Sequence, residues 1–198
     1  ASMFEVEYEG KEAHASSYPE HGINAADALT IAQTAIGLLR QHISSSDRIH
    51  GIITHGGDAP NIVPAHTKAR YIVRGQTLAD LERLRPRVYR CFEAGALATG
   101  CRMEIIGGTK AYSEMIHDHD IAALFKLNAE LLGRSYPNLD MSAQKATAST
   151  DMGNVSLVIP SIHPMIGIDS LPAVNHQREF TDSCITEAAD KAVYDGAL

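Results

Sequence analysis

Residues 3–9, MFEVEYE, alternate Phe4, Val6 and Tyr8 with Glu5, Glu7 and Glu9. That period of two marks a strand with one buried and one wet face. Beyond Asn24, a residue suited to cap a helix, Leu29, Ala32, Ile36 and Leu39 recur at helical spacing, with Asp27 in the first turn. The spacing predicts a helix that lays an apolar stripe on a sheet. RIHGIIT and KARYIVRG read as two further strands, and the two glycines and two prolines of HGGDAPNIVPAH exclude regular structure over most of the link between them. Thr77 and Asp80 then stand at the N-cap and N3 positions of a second helix. Leu78, Leu81, Leu84, Val88 and Phe92 form its stripe, and Gly100 stops it. Pro86 falls inside this helix, where a proline costs roughly 3 kcal/mol, so a kink or a restart is expected there. CRMEIIGG closes a β-α-β-β-α-β order over residues 3–108, the ferredoxin-like arrangement of an α+β fold.

The pattern changes from Thr109. SEMIHDHDIAALFKLNAELLG predicts a helix, PNLDMSAQKATASTDMGN a turn-rich polar stretch, VSLVIPSIHPMIGI a β-rich run broken by two prolines, and DSCITEAADKAVYDGAL a last helix. These elements have no evident means of closing a core of their own. Residues 109–198 are therefore expected to complete a sheet whose other strands lie outside this chain.

Composition narrows the classes. Hydrophobic residues make up 44% of the 198 positions and charged residues 21%, enough for one large or two small globular domains. With 17 basic against 24 acidic residues the net charge is −7, which repels phosphate backbones and argues against nucleic acid as a partner. No apolar run approaches the roughly eighteen residues of a membrane span, and ASMFEVEYEG lacks the basic-then-apolar order of a secretion signal. A soluble, cytoplasmic protein without membrane partners is the expectation. Cys91, Cys101 and Cys184 have no CxxC or CxxH spacing, which argues against a disulfide framework or a zinc knuckle and for reduced, mostly packing thiols.

Several residues invite chemistry, each with a plainer alternative. His14, in a turn between strand and helix, is poorly placed for a core. His176, in a loop ahead of a helix, reads as surface or as a metal ligand. Asp151 in TASTDMGN reads as a turn or cap residue, or as a site residue approached closely by backbone. His163 lies in an apolar run and reads equally as a core histidine. Asn61 is either a turn residue or an amide able to hold a carboxylate or oxyanion, and Arg74 either an exposed strand residue or a fork for a substrate carboxylate. The run HDHD, His117 to Asp120, reads as a solvated helix start, because adjacent helical residues point in different directions. No GxGxxG, P-loop, GxSxG or HExxH motif occurs.

In order, FEVEYEGKEAHASSYPEHGINAADAL, GGDAPNIVPAHTKARYIVR, STDMGNVSLVIPSIHP and NHQREFT resemble the co-catalytic zinc aminoacylase and carboxypeptidase family. Within it, the resemblance is to the amidohydrolase branch of aminobenzoyl-glutamate hydrolases and β-alanyl-lysine dipeptidase-like proteins. It implies that residues 3–108 are a ferredoxin-like lid and dimerisation domain, and that 109–198 are the C-terminal portion of an α/β metallopeptidase catalytic domain. It further implies that the N-terminal catalytic segment, with most metal ligands and the general base, lies outside this chain. By the same resemblance His14 matches a histidine that reaches the partner subunit's active site and stabilises the tetrahedral intermediate, and His176 matches the last metal ligand. Asn61 and Arg74 match lid positions near the substrate, and Asp151 a position lining the site, where other branches carry a glutamate.

The implied activity is metal-dependent hydrolysis of the amide bond of N-acyl amino acids or dipeptides by a homodimer. Two zinc or manganese ions per intact subunit are the implied cofactors. One histidine cannot by itself hold a catalytic zinc, which takes three protein ligands, so this stretch alone is expected to be inactive. Two other classes remain open: a non-catalytic homodimerising scaffold, and a nucleic-acid-binding ferredoxin-like domain, which the acidic charge disfavours.

Overall fold

Period-two and helical stripes in the first half of the chain meet in one core. The computed structural model describes residues 1–136 and 149–198. These fall into two units, one of residues 1–114 with 149–151, the other of 115–136 with 152–198. In the first unit the elements are β1 (Ser2–Glu9), α1 (Ala25–Leu39), β2 (Arg48–His55), β3 (His66–Arg74), α2 (Leu78–Thr99) and β4 (Arg102–Gly107). The strands form one sheet in the order β2-β3-β1-β4, every neighbouring pair antiparallel. This is the ferredoxin-like topology.

One sheet face is covered by both helices. Phe4, Val6 and Tyr8 of β1 and Ala69, Tyr71 and Val73 of β3 are buried against Leu29, Ala32 and Ile36 of α1 and Leu81, Leu84, Val88 and Phe92 of α2. Phe4 sits edge-on to Phe92, with ring centroids 5.8 Å apart, and to Tyr89 at 5.0 Å. Tyr8 donates its hydroxyl to the Phe92 carbonyl at 2.8 Å, and Thr67 donates to the Ala25 carbonyl at 3.0 Å, so the buried polar groups tie strands to helices. A Cβ on Gly95 would lie 2.2 Å from the Ala28 carbonyl oxygen, so the closeness of α1 to α2 depends on this glycine.

The caps agree with the sequence. The Asn24 side chain accepts from the Ala26 and Asp27 N–H groups, Thr77 and Asp80 form a reciprocal capping box, and Gly100 ends α2 with φ of 79°. Of the two outcomes expected at Pro86, the restart does not occur. Helix α2 runs through it without a restart, although proline has no N–H for the Glu82 carbonyl. Leu81, Leu84, Val88 and Phe92 are all buried on either side of Pro86, and this packing outweighs the local cost.

The opposite sheet face is open. Toward the His66 end it carries a charge ladder in which Lys68 Nζ reaches Glu5 and Glu7, both at 2.7 Å, and Arg70 pairs with Glu5 at 2.6 Å. The hydrogen bonds from Lys68 hold both carboxyls below their ordinary pKa. Met3, Ile52 and Ile106 are exposed on the same face, Ile52 and Ile106 level with the Arg70–Glu5 pair, and Arg48, His50 and Arg74 lie at its far end.

The second unit departs further from the sequence reading. Helix α3 covers His119–Leu131 with Asp118 as its N-cap, so residues 113–118 lie outside it. The expected β-rich run forms no strand. Its first residues belong to the short helix α4 (Met152–Ser156), and 157–168 are irregular. A strand needs neighbours for its backbone groups, and no described residue of this unit supplies one. The last predicted helix is two, α5 (Arg178–Ser183) and α6 (Glu187–Ala197), the second capped by Thr186. The polar stretch before Asp151 falls mostly outside the described residues.

Among the described residues, this unit buries only Ala129, Ala189 and Ala192 of its apolar side chains, while Leu131, Val158, Ile185 and Val193 stay exposed. Its polar anchor is Asp195, whose side chain is 5% exposed and which receives Arg134 Nε at 2.6 Å and Lys191 Nζ at 2.5 Å. That is little apolar burial for an independent fold.

Candidate functional site

The turn that carries His14 continues the central ladder beyond the sheet. After the Glu9–His66 pair the two chains stay together, through Gly10 N to the Ala65 carbonyl at 2.7 Å, Val63 N to the Ala13 carbonyl at 2.9 Å, and Ala15 N to the Asn61 carbonyl at 3.0 Å. His14 pairs with Ile62 as an isolated bridge. A second bridge, Lys11 with Ile23, braces the other side of this arm. Gly10 permits it, since a Cβ there would lie 2.0 Å from the Ile23 carbonyl oxygen. His14 and Asn61 therefore stand together at the tip of one two-chain arm, both exposed.

The His14 ring is oriented by its own turn. The Ser16 and Ser17 N–H groups both donate to Nδ1 at 3.3 Å, with Ser16 Oγ at the same distance. With Nδ1 occupied as an acceptor, the neutral ring carries its proton on Nε2, which makes the outer nitrogen a hydrogen-bond donor. Sequence reading missed Ser16 and Ser17. Their signal was the pair of small residues after the histidine, which lets the chain curl back onto the ring.

Arg74 lies at the other end of β3. Its Nε donates to His50 Nε2 at 3.1 Å and its Nη1 to Ser149 Oγ at 2.6 Å. Ser149 stands just before Asp151, so the Ser149–Asp151 stretch reaches the same end of the sheet, although no contact between Arg74 and Asp151 is seen among the described residues. Asp151 is exposed and accepts from the Thr150 hydroxyl at 3.4 Å. The structure thus sorts the three lid candidates, His14, Asn61 and Arg74, into two places. His66 and Arg74 are eight residues apart on β3, about 26 Å of strand, and the arm of His14 and Asn61 extends beyond His66.

His176 belongs to the second unit. It is exposed and holds φ of 71°, a conformation uncommon outside glycine and found more often in functional loops. Bonds from Ala173 N to the Ser170 carbonyl at 2.8 Å and from Val174 N to Gln177 Oε1 at 3.0 Å hold its loop. His163 is exposed and is not a core histidine. In HDHD, Asp118 caps α3 and its neighbours face solvent, as a solvated helix start requires. Among the described residues no three His, Cys, Asp or Glu side chains stand close enough to hold a metal ion, and no helix is long and apolar enough to cross a membrane. Cys91 and Cys101 are buried free thiols, and burial raises the Cys91 pKa.

A four-stranded ferredoxin-like sheet with an arm at one end and a hydrogen-bonded arginine at the other defines an α+β domain. The chain belongs to the peptidase dimerisation domain family of the M20 peptidases, whose model matches residues 1–99. It is 38% identical to a mouse (Mus musculus) Xaa-Arg dipeptidase over 93% of this chain and 42% of that protein. It is 35% identical to a subunit of the Escherichia coli p-aminobenzoyl-glutamate hydrolase over 49% of this chain and 20% of that one. A crystal structure of the aminobenzoyl-glutamate utilization protein from Klebsiella pneumoniae shares the fold, with a TM-score of 0.54 at 23% identity over 65% of this chain and 33% of that one. The chain spans about two fifths of the length of the dipeptidase it matches.

Proposed function

We propose that this chain is the lid and C-terminal catalytic portion of a metal-dependent amidohydrolase that cleaves dipeptides or N-acyl amino acids as a homodimer. Residues 3–108 form the lid and 109–198 the catalytic portion. The similarity to an Xaa-Arg dipeptidase favours dipeptides as the substrate class. The observation that carries the reading is the division of the lid candidates between opposite ends of β3. A dipeptide spans about 7 Å of backbone and cannot touch both groups in one protomer. Both can act on one substrate only if the site is shared between protomers.

The sheet edges support a specific pairing. Edge strand β4 has six residues and carries Arg102 and Glu104, charges that discourage association. Edge strand β2 carries the uncharged run Gly51, Ile52, Ile53 and Thr54, with Ile52 63% and Ile53 49% exposed. A second copy pairing antiparallel along β2 sets the Arg74 end of one sheet beside the arm end of the other. The two groups are then about three strand spacings apart, roughly 14 Å.

In this arrangement the partner's His14 donates from Nε2 to the oxyanion of the tetrahedral intermediate, with the partner's Asn61 beside it. Arg74 takes the substrate carboxylate and Asp151 lines the site. His176 is one ligand of a divalent metal centre, two zinc or manganese ions per intact subunit. The described residues supply no complete ligand set, and this reading assigns the remaining ligands and the general base to residues beyond those described. A bound metal would supply a water that ionises near neutral pH. The unbridged thiols suit a reducing, cytoplasmic setting.

The test is metal analysis and a hydrolysis assay on the full-length protein containing this chain, with Xaa-Arg, Xaa-Lys and N-acyl amino acid substrates. Bound metal, turnover and loss of turnover on chelation are expected. A stable dimer with neither metal nor turnover contradicts the reading and leaves a dimerising scaffold.

A further inference from the structure

We propose that His50 is a positioning residue that holds the Arg74 guanidinium in the orientation required to receive a substrate carboxylate. The inference rests on the hydrolase reading above and assigns a role to a residue outside the motifs that suggested that reading. Strand β2 places His50 opposite Ile72, two residues from Arg74 along the same open face of β3. From there His50 Nε2 accepts the Arg74 Nε–H at 3.1 Å while Ser149 Oγ accepts from Nη1 at 2.6 Å. Two bonds to different nitrogens fix the plane of the fork as well as its position. Arginine recognises carboxylates through that planar fork, so fixing the plane favours bidentate binding.

The bond requires a lone pair on Nε2, hence a neutral ring. Partial desolvation and the Arg74 and Arg40 guanidiniums hold the His50 imidazole below its ordinary pKa, so the ring is neutral at pH 7. His50 contributes no charge that would compete with the substrate for Arg74. A carboxylate in its place would neutralise the guanidinium, as Glu5 does for Arg70 on the same strand. The other side of His50 lines an open groove of about 270 Å³ with Gly51, Ile52, Arg70 and Ile72. The corner is therefore a concave surface with an oriented cation at its margin and apolar walls.

The test compares His50→Leu and His50→Gln in the full-length protein, on dipeptides and on the same dipeptides with an amidated C-terminus. Glutamine can still accept from Arg74 Nε, and leucine cannot. His50→Leu is expected to raise KM for the free-carboxylate substrates about tenfold, the scale of a misplaced contact group. Its kcat should stay within about twofold, and the amidated substrates should not distinguish it from wild type. His50→Gln should restore KM. An active wild type with unchanged KM in His50→Leu overturns the inference alone. A wild type that hydrolyses nothing overturns the hydrolase reading and the substrate role of His50 with it. The hydrogen bond is read separately from the exchange of the Arg74 Nε–H signal by NMR in the purified chain. Slow exchange in wild type and fast exchange in His50→Leu are expected, and fast exchange in both overturns the positioning contact whatever the assay gives.

Discussion

His14→Ala is expected to lower kcat of the full-length hydrolase by about a hundredfold or more, the scale seen when one oxyanion donor is removed. The expectation comes from how the ring is held. Nδ1 is occupied by the Ser16 and Ser17 amides, so Nε2 carries the proton and faces outward as a donor without needing to be charged. The arm should survive the substitution, because Ala13, Ala15, Asn61 and Val63 pair through backbone groups. Dimerisation should therefore persist, and KM should change less than kcat. A kcat within about threefold of wild type would remove His14 from the chemistry.

Phe4→Ala should cost the lid domain about 3–5 kcal/mol, a large part of the 5–15 kcal/mol that stabilises an ordinary domain. Phe4 is 1% exposed and touches the rings of Tyr71, Tyr89 and Phe92, so truncation opens a cavity where β1, β3 and α2 meet. Neither the backbone of the central strand nor the α1–α2 contact at Gly95 can move in to fill it without breaking the sheet register or the close helix approach. Urea unfolding of the purified chain measures the loss. A shift below about 1 kcal/mol would mean that the aromatic cluster relaxes, and that the core is less tightly packed than its ring geometry indicates.

The first unit was legible because each of its elements carries its own signal. The alternation in β1, the stripes of α1 and α2, Asn24, the Thr77–Asp80 box and Gly100 all point the same way. Pro86 does not end α2 because the cost of a mid-helix proline is local, whereas the burial that opposes it is set by the sheet beneath. The second unit was less legible. An apolar run such as VSLVIP becomes a strand only beside another strand, and its sequence does not record whether one is present. The starts of α3 and α6 were misplaced because Asp118 and Thr186 were not recognised as caps.

At the site, residue types were legible and their partnerships were not. His14 and Asn61 meet because the β1–β3 ladder outruns the sheet, a register effect with no local marker. His50 looked like any outward residue on an edge strand, and only its position opposite Ile72 brings it to Arg74.

The central claim, a site shared between protomers, is tested most directly by mixing two damaged proteins. His14→Ala and Arg74→Ala dimers are dissociated together, allowed to reassociate at random, and assayed at a substrate concentration where each alone is nearly inactive. If His14 of one protomer serves Arg74 of the other, half of the dimers are mixed and each mixed dimer has one intact site, so about a quarter of wild-type activity should return. If both residues serve the same protomer's site, no intact site can form, and activity that stays at the level of the separate variants would contradict the account.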